Sequence, residues 1–344
     1  MKAQVRGLLV AIICVAVLLP LGCSKKGVTI PTAASMDPDA LYQTYIMGVP
    51  MLHSDFATSG QFDLAVIGLT FNENVYWATT DNASLNMMTS AGQASGYTAT
   101  IMNVARRVPT LSQIAVQIVM DGSGSMAGSD PDYVRRAAGN LFVSKLKKRN
   151  PNNMVAVAEF SDSTGDYYFD QHRDFTAVSD SASIAAAFNV LGANGSTPLY
   201  TSIRRGIQHT DSAVSAASYN RSVIAFTDGW ENDSYPSDTA NGGFNVYTLA
   251  QTKGIPVFIV GLGAVDVPSM IRLAGYSGGV FAQASVPNDL KGIFAVVAVS
   301  LTQGYNVITC KVNPIPPSGT NLRYVFTMKS ADNMYFRYVD FTIP

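Results

Sequence analysis

Four short apolar runs punctuate the middle of the chain: residues 114–120 (IAVQIVM), 154–160 (MVAVAEF), 222–227 (SVIAFT) and 256–261 (PVFIVG). Each is nearly continuous rather than alternating, the pattern of a strand buried on both faces. Helical periodicity fills the stretches between them. In 131–150, Val134, Ala138, Leu141, Phe142 and Leu146 share one face. Asp130 is expected to cap this helix with Pro131 in its first position, and Lys147, Lys148 and Arg149 suit the dipole of its last turn. Further helices are expected at 181–191, 199–217, 246–253, 267–274 and 289–302. Strands alternating with helices predict an α/β layer fold, a doubly wound and mostly parallel sheet, over residues 112–302.

On either side the period changes to two. Residues 62–71 (FDLAVIGLTF), 75–78, 84–88 and 97–104 are rich in β-formers, with Asn72-Glu73-Asn74 and Asp81-Asn82 as turns. After Gly304 the β pattern returns at 305–312, 323–329 and 335–343. Neither flank is long. The economical organisation is one β-sandwich built from 36–111 and 303–344, with the α/β domain inserted in it or flanked by it. Two small independent flanks are the alternative.

The first residues have a different pattern. Lys2 and Arg6 precede an unbroken apolar run at 8–19 (LLVAIICVAVLL), which is short for a membrane span and suits an export signal. Pro20-Leu21-Gly22-Cys23-Ser24 follows. The Gly-Cys pair resembles the lipobox of bacterial lipoproteins, although Pro20 stands where that family usually has Leu. The resemblance implies a signal peptide over 1–22, a lipidated Cys23, and, from Ser24 in place of Asp, an outer-membrane destination. An ordinary secretory signal with an incidental cysteine is the alternative. Residues 23–35 then read as a tether. Cys14 would leave with the signal. Cys310 alternates with Ile308 and Val312 onto one face and is expected to be core.

Composition narrows the partners. Lys+Arg number 23 and Asp+Glu 24, a formal net charge of −1, so there is no basic surplus for a nucleic-acid backbone. Hydrophobic residues make up 47%, ample for a core and unlike a disordered chain. Three cysteines are too few for a disulfide scaffold.

Candidate chemistry collects at strand ends. The first buried run stops at Asp121 and continues Gly122-Ser123-Gly124-Ser125. A later loop reads Gly195-Ser196-Thr197-Pro198-Leu199, and another strand runs into Thr227-Asp228-Gly229. Ligands of open parallel sheets bind beyond the carboxyl ends of the strands. Carboxylates with hydroxyls form a hard-oxygen set suited to Mg²⁺ or Mn²⁺ rather than Zn²⁺.

Together, D-x-S-x-S at 121–125, G-x-T-P-L around Thr197 and T-D-G around Asp228 resemble a von Willebrand factor type A domain with a metal-ion-dependent adhesion site. The resemblance implies that Ser123 and Ser125 bind the metal directly, and Asp121 and Asp228 directly or through water. Thr197 joins in the ligand-bound form. It implies protein binding rather than catalysis, with a partner's Asp or Glu completing the site. In integrin-type relatives the last helix, here 289–302, shifts with the state of the site. Trp230 and Glu231, beside Asp228, are candidates for the ligand rim.

Other readings compete. An envelope assembly scaffold could use the metal mainly as a staple. Gly122-Ser123-Gly124-Ser125-Met126-Ala127 matches G-x-G-x-x-A, with Glu159 as a ribose acid, but an NAD-type site would set Asp121 against a pyrophosphate. A serine hydrolase would want a G-x-S-x-G elbow, and neither Ser123 nor Ser125 has Gly at both required offsets. His53, His172 and His209 have no partner at metal-ligand spacing and read as surface or loop residues.

Overall fold

Backbone ladders gather the strands into three sheets. The computed structural model describes residues 41–47, 50–70, 72–161, 169–331 and 333–343. The expected signal peptide, Cys23 and the tether lie outside the described residues. The chain runs β1 (Leu41–Ile46), β2 (Met51–Leu52), α1 (Phe56–Ser59), β3 (Gln61–Thr70), β4 (Val75–Tyr76), β5 (Ala83–Met88) and β6 (Thr98–Arg107). It then alternates: β7 (Ile114–Asp121), α2 (Met126–Ser129), α3 (Val134–Arg149), β8 (Met154–Phe160), β9 (Asp170–Ala177), α4 (Ser181–Asn189), α5 (Leu199–Ala213), β10 (Asn220–Thr227), α6 (Pro236–Lys253), β11 (Val257–Leu262), α7 (Val267–Ser277), β12 (Phe281–Ala284) and α8 (Leu290–Gln303). It ends with β13 (Tyr305–Asn313), β14 (Asn321–Lys329) and β15 (Met334–Thr342).

The alternating stretch forms a sheet in the order β12-β11-β10-β7-β8-β9, parallel throughout except for the β8–β9 pair. Every residue of β7 is buried, because helices cover both faces. Val116, Ile118 and Met120 belong to a core with Phe142 and Leu146 of α3 and Phe294 of α8. Val119, Val223 and Ile259 pack with Ile203 and Ile207 of α5 and Leu273 of α7 on the other side. The unbroken apolar runs in the sequence follow from this double coverage.

Two local expectations need correction, and one strand has no counterpart in the apolar pattern. The third helix starts at Val134, so Pro131 is not in its first turn. Asp130 caps it from further back: its carboxylate accepts from the backbone nitrogens of Val134 at 2.7 Å and Arg135 at 3.2 Å. The strand β9 is an edge made of DQHRDFTA, too polar to stand out. The expected helix 246–253 is the second half of α6, whose first part is separated from it by non-helical residues 240–243.

The N- and C-terminal segments build the other two sheets, both antiparallel. One has the order β1-β3-β13-β6, with β2 and β4 also on β3; the other is β15-β14-β5. They face each other over a shared core that includes Phe62, Leu64, Ile308 and Cys310 from the first and Leu85, Tyr324 and Phe326 from the second. Phe62 and Tyr324 meet edge to face, 5.2 Å between centroids. Strand β13 lies between β3 and β6, so the C-terminal segment completes the middle of an otherwise N-terminal sheet.

Entry to and exit from the α/β region are one ladder step apart: Arg107, last in β6, pairs with Tyr305, first in β13. Gly304 sits at that junction with φ +98°, and a Cβ there would lie 2.2 Å from the Arg107 carbonyl oxygen. Only glycine serves at such a position. The turn at Glu73, itself at φ 59°, clamps the two regions together. Its carboxylate bonds Lys145 and lies 3.4 Å from Lys148, and its carbonyl accepts from Arg149 at 2.6 Å and Gln303 at 3.0 Å. The basic end of α3 therefore grips the sandwich, besides suiting its own helix dipole.

Cys310 is fully buried, and burial pushes its thiol up to about 12. The thiolate is the reactive form. We expect Cys310 to resist maleimide at pH 7.5 in the folded protein and to react quickly once the chain is unfolded in guanidinium. Fast labelling of the native protein would show that the sandwich opens.

Candidate metal centre

Three loops converge at the carboxyl end of the parallel sheet. The first leaves β7 at Asp121 and passes through Ser123 and Ser125 into α2. The second joins α4 to α5 and carries Thr197. The third follows β10 and carries Asp228. Glycine lets them approach. Gly124 donates its backbone N–H to the Gly195 carbonyl at 2.9 Å, and Asn194 donates to the Gly122 carbonyl at 2.6 Å.

Asp121 is wholly buried. One carboxylate oxygen accepts from the Ser123 backbone at 2.7 Å and the other from the Thr227 hydroxyl at 2.6 Å. Burial nevertheless raises it to about 6, with the nearby charge of Asp228 adding a little and the bonds from Ser123 and Thr227 opposing the rise. The carboxylate is thus short of positive charge. Asp228 is nearly buried; one oxygen accepts from Ser125 at 2.7 Å, and the other accepts from Ser129. The hydroxyls of Ser123 and Ser125 are 3.0 Å apart. Gly229 adjoins the same space: a Cβ there would lie 3.2 Å from the Thr197 hydroxyl oxygen and 3.6 Å from that of Ser125.

The five predicted positions are therefore brought to one place. Ser125 is exposed, whereas Asp121, Ser123 and Thr197 are buried, so the cluster is reached by solvent from one side. Among the described residues no three His, Cys, Asp or Glu side chains group as metal ligands. The donor set here is two carboxylates with hydroxyls. It fits a hard divalent cation, because Ser125 directs its proton to Asp228 and keeps oxygen lone pairs available.

Further side chains position the five motif residues, a role the sequence pattern does not assign to them. Thr227 and Ser129 orient the two carboxylates. Asn232 accepts from the Thr197 backbone N–H at 2.7 Å. Asp233 accepts from the Ser196 hydroxyl at 2.7 Å. Glu231 accepts from the backbone nitrogens of Tyr200 at 2.9 Å and Ser234 at 2.7 Å, so its carboxylate braces the loops. Trp230 is 60% exposed, its indole N–H donating to the Ala264 carbonyl at 3.1 Å. In sequence the only sign of these braces is a run of turn-forming polar residues after T-D-G.

Glu159 has a place behind the metal loop rather than in a nucleotide pocket. One oxygen accepts from Gly192 at 2.6 Å, and the other is 2.8 Å from His172 Nε2. A Cβ on Gly122 would fall 2.0 Å from the first oxygen. His172 is thus partnered within the fold, as is His209, whose Nδ1 lies 2.7 Å from Gln117. His53 pairs with Asp63 at 3.3 Å. Arg135, fully buried, ties Asp130 at 2.9 Å and donates to the Gly192 carbonyl, so α3 also anchors the Thr197 loop.

Two outcomes test this bracing. Asp130→Ala would leave the Arg135 charge buried and unpaired, which costs about 3–5 kcal/mol; chemical denaturation should register that loss. His172 is raised above its ordinary value chiefly by its bond to Glu159, with burial opposing and Asp170 adding. The folded state therefore favours the imidazolium. That stabilisation is full below the unfolded value of about 6.5 and disappears as pH rises through the higher folded value. In paired thermal melts, His172→Gln should lower Tm more at pH 6 than at pH 8.5. An equal drop at both would remove the charge argument.

The comparisons with known proteins bear on the same region. A search of curated protein sequences found no match. Among solved structures, a von Willebrand factor type A protein from Catenulispora acidiphila is similar at 15% identity and TM-score 0.48, over 76% of this chain and 72% of that one. The pilus adhesin SpaC from Lactobacillus rhamnosus GG is similar at 10% identity and TM-score 0.44, over 90% of this chain and 49% of that one. Proximal thread matrix protein 1 from the mussel byssus, with a zinc occupied MIDAS motif, is similar at 15% identity and TM-score 0.43, over 61% and 50%. The chain spans about half the length of the pilus and byssus proteins. The family model for the von Willebrand factor type A domain matches residues 116–296, just over half of the sequence, from inside β7 to inside α8. The chain belongs to the von Willebrand factor type A domain family.

Proposed function

We propose that this protein is a membrane-anchored binding protein that holds Mg²⁺ or Mn²⁺ and uses it to take an acidic side chain of a protein partner. Asp121, Ser123, Ser125, Thr197 and Asp228 would hold the ion. Bound there, it supplies an electrophilic position for a carboxylate. The observation that carries this reading is the convergence of the five residues from three loops, with the cluster reached from solvent on the Ser125 side.

The chain's own part is positional. Thr227 and the Ser123 backbone fix Asp121. Ser125 and Ser129 fix Asp228. Asn232 holds the backbone at Thr197. With the oxygens already placed, little ordering remains when a cation enters, which favours affinity. The partner's acidic residue gives orientation, and the surrounding surface gives specificity. Trp230, the large exposed side chain closest in sequence to Asp228, is the rim residue most suited to such a contact. The nature of the donor groups favours binding over catalysis: hydroxyls and carboxylates are engaged with one another, and His172 pairs with Glu159 rather than with Ser123 or Ser125.

The anchor in this reading is a lipid on Cys23, with export directed by residues 1–22 and an outer-membrane destination. It is supported by the charge and apolar pattern of that segment and by the Gly22-Cys23 pair. A scaffold role with a mainly structural ion is the second reading; the exposure of Ser125 at the cluster favours the first.

Asp121→Ala should abolish Mg²⁺ binding in calorimetry and capture of partner proteins from envelope or matrix extracts, while circular dichroism stays native. Excess EDTA should have the same effect on wild-type capture. Partner capture that survives both treatments would falsify the metal-dependent reading. Loss of metal binding with full capture would favour the scaffold.

A further inference from the structure

The outer face of the β14–β15 pair carries large side chains outside the sandwich core; at its far end Arg323 pairs with Asp340 at 2.7 Å and lies over the Tyr338 ring, 4.2 Å from its centroid. Met334, Phe336 and Tyr338 alternate along β15 and are 64%, 49% and 55% exposed. The residues between them on the other face include Tyr335 and Val339, which pack on the sandwich core. A solvated sheet face normally carries polar residues at alternate positions. Three large apolar side chains in succession are the kind of exposed patch that marks an interaction site.

Two features say what covers it. In the antiparallel register Lys329 stands opposite Met334, so a cation borders the stripe at that end. The described chain also begins there: the Asn333 side-chain amide, one residue before β15, donates to the Leu41 carbonyl at 3.5 Å. Residues 24–40 are all that lie between Cys23 and Leu41, and fully extended they reach at most about 60 Å. They include Lys25 and Lys26. A lipid on Cys23 would thus join the described chain through Leu41, at the end of the sandwich where the stripe starts.

We propose that Met334, Phe336 and Tyr338 form a membrane-docking face that settles into the headgroup layer of an anionic phospholipid bilayer beside the Cys23 anchor. The proposal rests on the reading that Cys23 is acylated. The Tyr338 ring with its polar tip suits the headgroup level beside apolar Met334 and Phe336, and a lysine such as Lys329 at their border suits lipid phosphates while its stem covers apolar surface. A covalent anchor alone holds a domain near the membrane without orienting it. A second, weaker contact on the domain itself supplies the orientation, and the tether raises its effective concentration.

The test uses the full chain, purified from bacterial membranes and reconstituted into phosphatidylethanolamine–phosphatidylglycerol vesicles. Peroxide oxidation of Met334 is followed by peptide mass spectrometry. Met102, 55% exposed on the edge strand β6, is the internal reference. In vesicles Met334 should oxidise several-fold more slowly than Met102, against the order of their exposure in the structure. The double variant Phe336→Glu, Tyr338→Glu changes only exposed positions, and it should return Met334 to the rate of Met102 with unchanged circular dichroism. Equal oxidation of the two methionines in wild-type vesicles overturns the docking face. Protection of Met334 that appears without vesicles, together with a dimer mass, overturns it in favour of a second copy. The mass of the N-terminal peptide reports acylation separately. A bare Cys23 with Met334 still protected by vesicles removes the anchor and retains the face.

Discussion

A carboxylate taken wholly out of water at the end of the central strand is the constraint on which the site depends. Asp121 has no exposed surface, and its burial is energetically unfavourable unless hydrogen bonds or a positive charge offset it. The chain supplies the first remedy through Ser123 and Thr227, and among the described residues no positive side chain bonds Asp121. Thr227 bonds Asp121 and so ties the end of β10 to the end of β7. Ser125 bonds Asp228 and closes the same gap from the other side. The loop with Thr197 is then held by Gly122 and Gly124 in front, Glu159 and Arg135 behind, and Asn232 above the helix start.

Much of this was legible in the amino-acid sequence for a physical reason. A parallel sheet covered on both faces requires continuous apolar runs, and such runs are visible without knowledge of tertiary contacts. That made β7, β8, β10 and β11 plain. The same reasoning fails at sheet edges. β9 is half-exposed and polar, and β12 is only a few residues long. The start of α3 differs from the sequence expectation because a carboxylate at Asp130 followed by proline imitates a capped first turn. The true cap reaches across an extra turn with Tyr133 in the left-handed region. The motif residues of the site stood out by spacing and family resemblance. The residues that brace them did not, since Glu159, Asn232 and Ser129 act across long sequence separations.

The sandwich and the α/β region are joined by more than two linkers. Glu73 collects Lys145, Lys148, Arg149 and Gln303, which lie at the ends of α3 and α8 nearest the sandwich. Bonds to Lys145, the largest influence, hold the Glu73 carboxyl below its ordinary range. Both helices also line the core face behind the metal loops, α3 reaching Gly192 through Arg135. One turn of the sandwich therefore grips the far ends of the helices whose bodies support the site.

Arg107 and Tyr305 are neighbours on one ladder, with Gly304 turning the chain between β13 and the last helix. A segment that departs and returns at a single rung imposes almost no geometric demand on the sheet it interrupts. The sandwich sees it as it would see a hairpin loop, however many residues that loop contains. Such a joint allows the α/β module to diverge, or to be exchanged for another with similarly close ends, while the platform that carries it keeps its register.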